Sequence, residues 1–103
     1  KTYADGGENM TDIVIATKQK VLDHKKGQDG YEWYYWKLPK MPKELKEGDR
    51  VHFAVNKKIQ GSFKIQSIDR PAHEIEWRAD SWKDEAKDIP SKVRQGFAYK
   101  WWK

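Results

Sequence analysis

Residues 42–68 constrain the fold of this chain more than any other stretch of its sequence. Val51, Phe53 and Val55 alternate with polar or small residues. After a short polar loop the alternation resumes, and one face is formed by Ile59, Gly61, Phe63 and Ile65. Period-two patterning on both sides of a short loop is typical of a β-hairpin. We therefore predict two antiparallel strands here, preceded by a turn at residues 46–49.

The remaining sequence adds further strands and few helices. The strand candidates are residues 12–19, 31–38, 74–79 and 97–102. We also expect a short helix at residues 81–88, where Ser81 is a plausible N-cap, and a helical turn at residues 44–47. No predicted helix is long enough for a βαβ crossover. The expected fold is mostly β with one or two short helices, arranged as a small, mainly antiparallel barrel.

Length and composition exclude several classes of protein. A chain of 103 residues forms one modest core. We expect residues 1–11 to be a flexible N-terminal segment and residues 12–103 to be a single domain. The absence of cysteine excludes disulfides and thiolate metal sites. The lack of cysteine also fits a reducing, cytoplasmic setting. Because no apolar run is long enough to cross a membrane, we expect no membrane contact, and we expect a monomer.

Basic and aromatic residues are concentrated in the same two parts of the chain. The net charge is +5, and the basic excess lies in residues 31–60 and 91–103. Aromatic residues make up 14% of the chain and cluster at residues 31–36 and 97–102. Lysine interleaved with aromatic rings suits stacking on bases and neutralisation of phosphates. The same rings also suit the interior of a small barrel.

Strand geometry allows only half of the clustered rings to be buried, because neighbouring strand residues face opposite ways. If Trp33 and Tyr35 point inward with Tyr31, then Tyr34 and Trp36 are exposed. At the other end of the chain, Phe97, Tyr99 and Trp101 form one face and Trp102 lies opposite. A tryptophan exposed beside lysine indicates either a ligand or a covering loop.

These patterns nominate a set of binding residues. The candidate ligand-binding rings are Trp33, Tyr34, Trp36 and Trp102. The candidate phosphate contacts are Lys37, Lys40, Lys92 and Arg94.

Other chemistry has little support in the sequence. His24, His52 and His73 lack the paired spacing of metal ligands, and we expect His52 to be solvated on its strand. Neither a nucleophile elbow nor a phosphate-binding glycine loop is present. We expect Arg78 to form a cross-strand ion pair. We predict no metal, no cofactor and no catalytic residue, and favour a binding protein over an enzyme.

The hairpin sequence GDRVHFAVNKKIQGSFKIQSI resembles the strand pair of PUA-like barrels, a superfamily that includes PUA, ASCH, EVE and YTH domains. The lead-in at residues 42–47 and the closing block EIEWRADSW…IPSKVRQGFAYKWW are also similar. The resemblance implies a pseudobarrel that binds RNA or DNA, with Trp33 and Trp36 as ring contacts for a base, which EVE and YTH domains bind in modified form. The ASCH signature G-x-K-x-x-E-x-R is absent near the N-terminus, which argues against transferring ASCH-type hydrolytic roles.

The sequence thus favours noncatalytic binding of nucleic acid, RNA in particular, or of a modified nucleotide. Two alternatives stay open. One is a small hydrolase or nuclease acting on RNA or modified nucleosides. The other is a protein-interaction module in which exposed tryptophans are hot spots.

Overall fold

A computed structural model describes residues 11–28, 30–94 and 96–102. Within this part of the chain the strands are β1 Ile13–Ala16, β2 Trp33–Lys37, β3 Arg50–Val55, β4 Lys58–Asp69, β5 Glu74–Arg78, β6 Lys83–Asp84 and β7 Ala98–Tyr99. The helix α1 spans Gln19–Asp23, a π-helical turn follows at His24–Gln28, and a 3-10 turn occupies Ala79–Ser81. The prediction of a mostly β fold with short helices is confirmed. The flexible segment predicted at residues 1–11 lies, apart from Thr11, outside the described residues.

The strands form one mixed sheet in the order β2-β5-β4-β3-β1-β7, and β6 pairs with β4. The pairing of β1 with β3 is parallel, and the other strand pairings are antiparallel. Because β2 and β7 lie at opposite ends of this path, the sheet is not closed into a barrel. The predominance of antiparallel pairing agrees with the sequence prediction, but the barrel predicted with it is not formed, because the strands at the two ends of the path do not pair among the described residues.

The predicted hairpin is present as β3 and β4. Asn56 and Lys57 have φ angles of 53° and 66°, the left-handed conformation of a two-residue hairpin turn. One detail of the prediction is wrong: Ile59 does not share a face with Phe63. A β-bulge places Gly61 opposite Phe53 but Ile59 opposite Ala54, so Ile59 packs on the other side of the sheet.

Aromatic rings form the centre of the main core. Phe63 stacks on Trp77 with ring centres 4.9 Å apart, and Phe53 contacts both rings. All three side chains are fully buried. Gly61 leaves room beside them for Trp82, whose indole would collide with a side chain at that position.

His52 is buried rather than solvated, contrary to the sequence prediction. The reason is that β3 is covered on both faces. The side of the sheet that carries Ala54 and Ile59 forms a small second core, against which Ile89, Val93 and Trp102 pack. A strand covered on both faces cannot be sorted into inner and outer residues by alternation alone.

The prediction of a helix at residues 81–88 is also wrong. The Ser81 hydroxyl donates to the carbonyl oxygen of Arg78 at 2.7 Å and accepts from the backbone N–H of Lys64 at 3.2 Å, so it does not cap a helix. The short strand β6 follows instead. Residues 43–44 and 47–48 form turns where a helical turn was expected, and the first strand ends at Ala16, before the predicted end at residue 19, where α1 begins.

Among the described residues, no helix combines the length and apolar character needed to cross a membrane.

Candidate functional site

The aromatic residues of β2 are sorted in the opposite way to the sequence prediction. Tyr34 is 5% exposed, whereas Trp33 and Tyr35 are 48% and 53% exposed. The register explains this result, because Tyr34 lies directly opposite the buried Trp77 of β5, and opposite residues share a face. Trp36 lies on the same side and packs against Phe53, with ring centres 5.3 Å apart. The expected exposure of Tyr34 and Trp36 is therefore wrong: Tyr34 belongs to the core, and Trp36 is half-buried against it.

An apolar hollow of about 560 Å³ lies beside the C-terminal segment. Its lining is Pro90, Lys92, Val93, Phe97, Ala98 and Trp101. Trp101 is 46% exposed, which makes it one of the most accessible large apolar side chains of the described residues. An exposed indole in an apolar hollow can stack on a planar ligand.

A cationic hollow of about 330 Å³ adjoins the apolar one and shares Lys92 and Val93 with it. Lys57, Ser91 and Arg94 complete the lining, so the described residues that line this space supply three cations and no carboxylate. The position of the segment is fixed by the backbone N–H of Ser91, which donates to the carbonyl oxygen of Lys57 at 2.9 Å. The β3–β4 turn thereby places Lys57 beside the C-terminal cations.

A third hollow of about 300 Å³ continues on the far side of Phe97. Its lining is Lys40, Met41, Pro42, Lys43, Glu44, Phe97 and Tyr99. The backbone N–H of Glu44 donates to the Tyr99 hydroxyl at 3.1 Å, which ties this loop to β7. We call the three hollows together the C-terminal groove. Along it, cations flank a central aromatic section, with five cations and one carboxylate in its lining.

The groove brings together only part of the residue set predicted from the sequence. Lys40, Lys92 and Arg94 line it. Trp33 and Lys37 lie instead on the outer face of β2. Four residues that line the groove were not nominated from the sequence: Lys43, Lys57, Phe97 and Trp101. The grouping of Phe97, Tyr99 and Trp101 on one face was a usable signal, because all three line the groove.

Trp102 lies in a different setting from Trp101. Its ring packs edge-on against His52, with ring centres 5.0 Å apart. Both residues border a polar pocket of about 340 Å³ that also contains Asp12, Arg50 and Ser62.

Buried polar groups organise this polar pocket. Asp12 accepts from the backbone N–H of Arg50 at 2.9 Å, and its other oxygen lies 3.4 Å from His52 Nε2. Arg50 donates through Nε to the Ser62 hydroxyl at 2.7 Å. Burial lowers the pKa of Arg50, and the charge of Asp12 partly opposes this effect. Since Ser62 bonds to Arg50, and His52 Nδ1 is buried with no partner among the described residues, these groups do not form a catalytic triad.

Arg78 forms an ion pair as predicted, but its closer partner, Asp80, is two residues away in sequence, and only the longer contact, with Glu32 next to β2, is cross-strand. Arg78 lies 3.3 Å from Asp80 and 3.8 Å from Glu32, and its hydrogen bond with Asp80, with the charge of that carboxylate, raises its pKa. Among the described residues, no group of three or more histidines, aspartates or glutamates is placed to hold a metal ion.

Comparison of the chain with family models, with curated proteins and with solved structures finds no match.

Proposed function

We propose that this domain binds single-stranded nucleic acid, RNA in particular, or a modified nucleotide through the C-terminal groove, without catalysing a reaction. The observation that carries the proposal is the position of Trp101. Its indole is 46% exposed in an apolar hollow directly beside a cationic one. The PUA-like resemblance of the hairpin points to the same class of ligand.

The two kinds of hollow match the two parts of a nucleotide. A base stacked on Trp101 would contribute about 1–3 kcal/mol, whatever its identity. Lys57, Lys92 and Arg94 would contact phosphate oxygens next to that base. Lys40 and Lys43, beyond Phe97, would contact the backbone on the other side.

The same arrangement favours a single strand or an extruded base over an intact duplex. In a duplex the base faces are stacked on one another and cannot reach an indole. A groove with cations on both sides of a ring fits a backbone that passes the ring while one base turns into the apolar hollow.

The test is a fluorescence titration with short single-stranded RNA and DNA, using Trp101→Ala and Trp33→Ala as a matched pair. Both indoles are about half exposed, but only Trp101 lines the groove. We expect Trp101→Ala to weaken binding by about 1–3 kcal/mol and Trp33→Ala to leave it unchanged. Equal effects of the two substitutions, or no binding by the unmodified domain, would contradict the proposal.

A further inference from the structure

A second aromatic surface lies on the outer face of β2 and β5, away from the C-terminal groove. Tyr31, Trp33 and Tyr35 are 66%, 48% and 53% exposed and follow one another at alternate positions. Cross-strand pairing sets Arg78 opposite Trp33 and Glu76 opposite Tyr35. We call this surface the β2–β5 face. Tyr31 precedes β2 and packs edge-on against the buried Tyr34, with ring centres 6.1 Å apart, so the face itself carries two exposed rings, Trp33 and Tyr35. Neighbouring exposed rings on one sheet face are typical of an interaction site.

The charges around this face have the opposite sign to those of the groove. Lys37 and Glu74 are cross-strand partners, and Asp69 lies opposite Glu74 on β4. With Glu32 and Asp80 beside Arg78, the surroundings hold five carboxylates, against four cations from Lys25, Lys37, Lys64 and Arg78, which leaves one net negative charge. The face is therefore acidic in a chain whose net charge is +5. Carboxylates here would repel a phosphate backbone.

The rings of this face already accept cations from the chain itself. The Arg78 guanidinium lies 5.4 Å from the centre of the Trp33 ring, and Lys25 Nζ lies 4.9 Å from the centre of the Tyr35 ring. Two carboxylates are left over, because neither Glu74 nor Glu76 forms an ion pair among the described residues. Exposed rings beside unpaired carboxylates favour an ammonium or guanidinium group from outside.

We propose that the β2–β5 face docks a lysine- or arginine-rich segment of a partner protein. Aliphatic stems of the incoming side chains would lie along Trp33 and Tyr35, and their charged ends would reach Glu74 and Glu76. Docking is through side chains rather than by addition of a strand. The Lys25 ammonium group donates a hydrogen bond to the Tyr35 carbonyl oxygen at 2.7 Å, which keeps that carbonyl from pairing with an added strand.

Calorimetric titration with a short arginine–serine repeat peptide tests the proposal, with a glutamate–serine repeat as the matched probe. The test variant is the pair Glu74→Gln and Glu76→Gln. The control variant is Glu47→Gln with Glu85→Gln, which makes the same change in net charge outside both the β2–β5 face and the groove. We expect the basic peptide alone to bind, the test variant to weaken it about two- to thirtyfold and the control to change it less than about twofold. Trp33→Leu should weaken it as well.

Three results would overturn the proposal. The first is equal weakening by the test and control variants, which would indicate general charge attraction only. The second is that the unmodified domain binds a single-stranded oligonucleotide and the Trp33→Leu variant does not. The third is self-association in sedimentation that the test variant abolishes, since the occupant would then be a second copy of this chain.

Discussion

Trp101 and Trp102 are consecutive residues with ring centres 5.0 Å apart and an interplanar angle of 73°. Their indoles nevertheless contact different parts of the molecule. Trp101 lines the apolar hollow of the C-terminal groove. Trp102 packs against His52 and the small second core formed by Val14, Ala54 and Ile59. The two indoles therefore contact each other edge-on while the rest of each ring faces different surroundings.

This division predicts that the two tryptophans differ in their effect on stability. We expect Trp102→Ala to lower the free energy of unfolding by about 1–2 kcal/mol, because it removes apolar contact with the second core and the edge contact with His52. Trp101→Ala should change it by less than about 0.5 kcal/mol. Urea denaturation of both variants measures the difference. A Trp101 substitution that costs as much as the Trp102 substitution would show that Trp101 is a structural residue.

The three cations of the cationic hollow predict a specific salt dependence. Replacing both Lys92 and Arg94 by alanine should make binding less sensitive to salt. For a single strand, the negative slope of log K for binding against log salt concentration should fall in magnitude by about 1.4, since each phosphate contact contributes about 0.7. The matched control replaces Lys18 and Lys64, which are exposed and lie outside the groove. If the control lowers the slope as much as the test pair does, the cationic hollow is not where phosphate binds.

The close approach of Trp82 to Gly61 predicts a steric cost for any side chain there. A Cβ at Gly61 would lie 2.5 Å from the Lys83 carbonyl oxygen and closer still to Cζ2 of the Trp82 ring. We expect Gly61→Ala to lower the free energy of unfolding by about 1–3 kcal/mol, as overpacking does.

A double-mutant cycle isolates the contribution of the indole to this cost. In a Trp82→Ala background, Gly61→Ala should cost less, and thermal unfolding of the four proteins gives the coupling. Strict additivity would mean that the carbonyl oxygen alone sets the cost.

The lowered pKa of Lys25 predicts that the unmodified protein gains stability relative to a Lys25→Met variant as the solution becomes alkaline. Burial lowers the pKa of Lys25 from the ordinary value of 10.5. Between the lowered value and 10.5 the unfolded chain holds more protons than the folded one, so raising the pH through this window favours the folded state. The stability of the unmodified protein should therefore rise relative to that of Lys25→Met as the pH approaches 10.5. Urea denaturation over a pH series checks the sign, and a constant or falling difference contradicts it.

The sequence predicted the strands that have a clear polar–apolar alternation. The hairpin of β3 and β4, and the later strand β5, have one face that is nearly all apolar. The parity of β2 could not be predicted, because residues 33–36 are all aromatic and so do not alternate in polarity. Pairing of Tyr34 with Trp77 decides it, and that pairing is a property of the assembled sheet.

The candidate site was predictable in composition but not in geometry. Lys92, nominated from the basic and aromatic residues near the C-terminus, lines the same hollow as Trp101, and Arg94 lines the adjoining one; their role as phosphate contacts stays a prediction. That the ring is Trp101 depends on how residues 97–102 lie against the sheet, where only Ala98–Tyr99 pairs with β1. The contribution of Lys57 depends on the hydrogen bond between its carbonyl oxygen and Ser91, which links residues distant in sequence.

Chemical-shift mapping of the backbone amides during titration with a single-stranded RNA tests the central claim most directly. If the C-terminal groove binds the strand, the perturbed amides should cluster at Lys57, at residues 91–94 and 97–101 and at the loop of residues 40–44. The amides of the β2–β5 face should be unaffected. Perturbations centred on Trp33 and Glu76, with the groove unchanged, would contradict the claim.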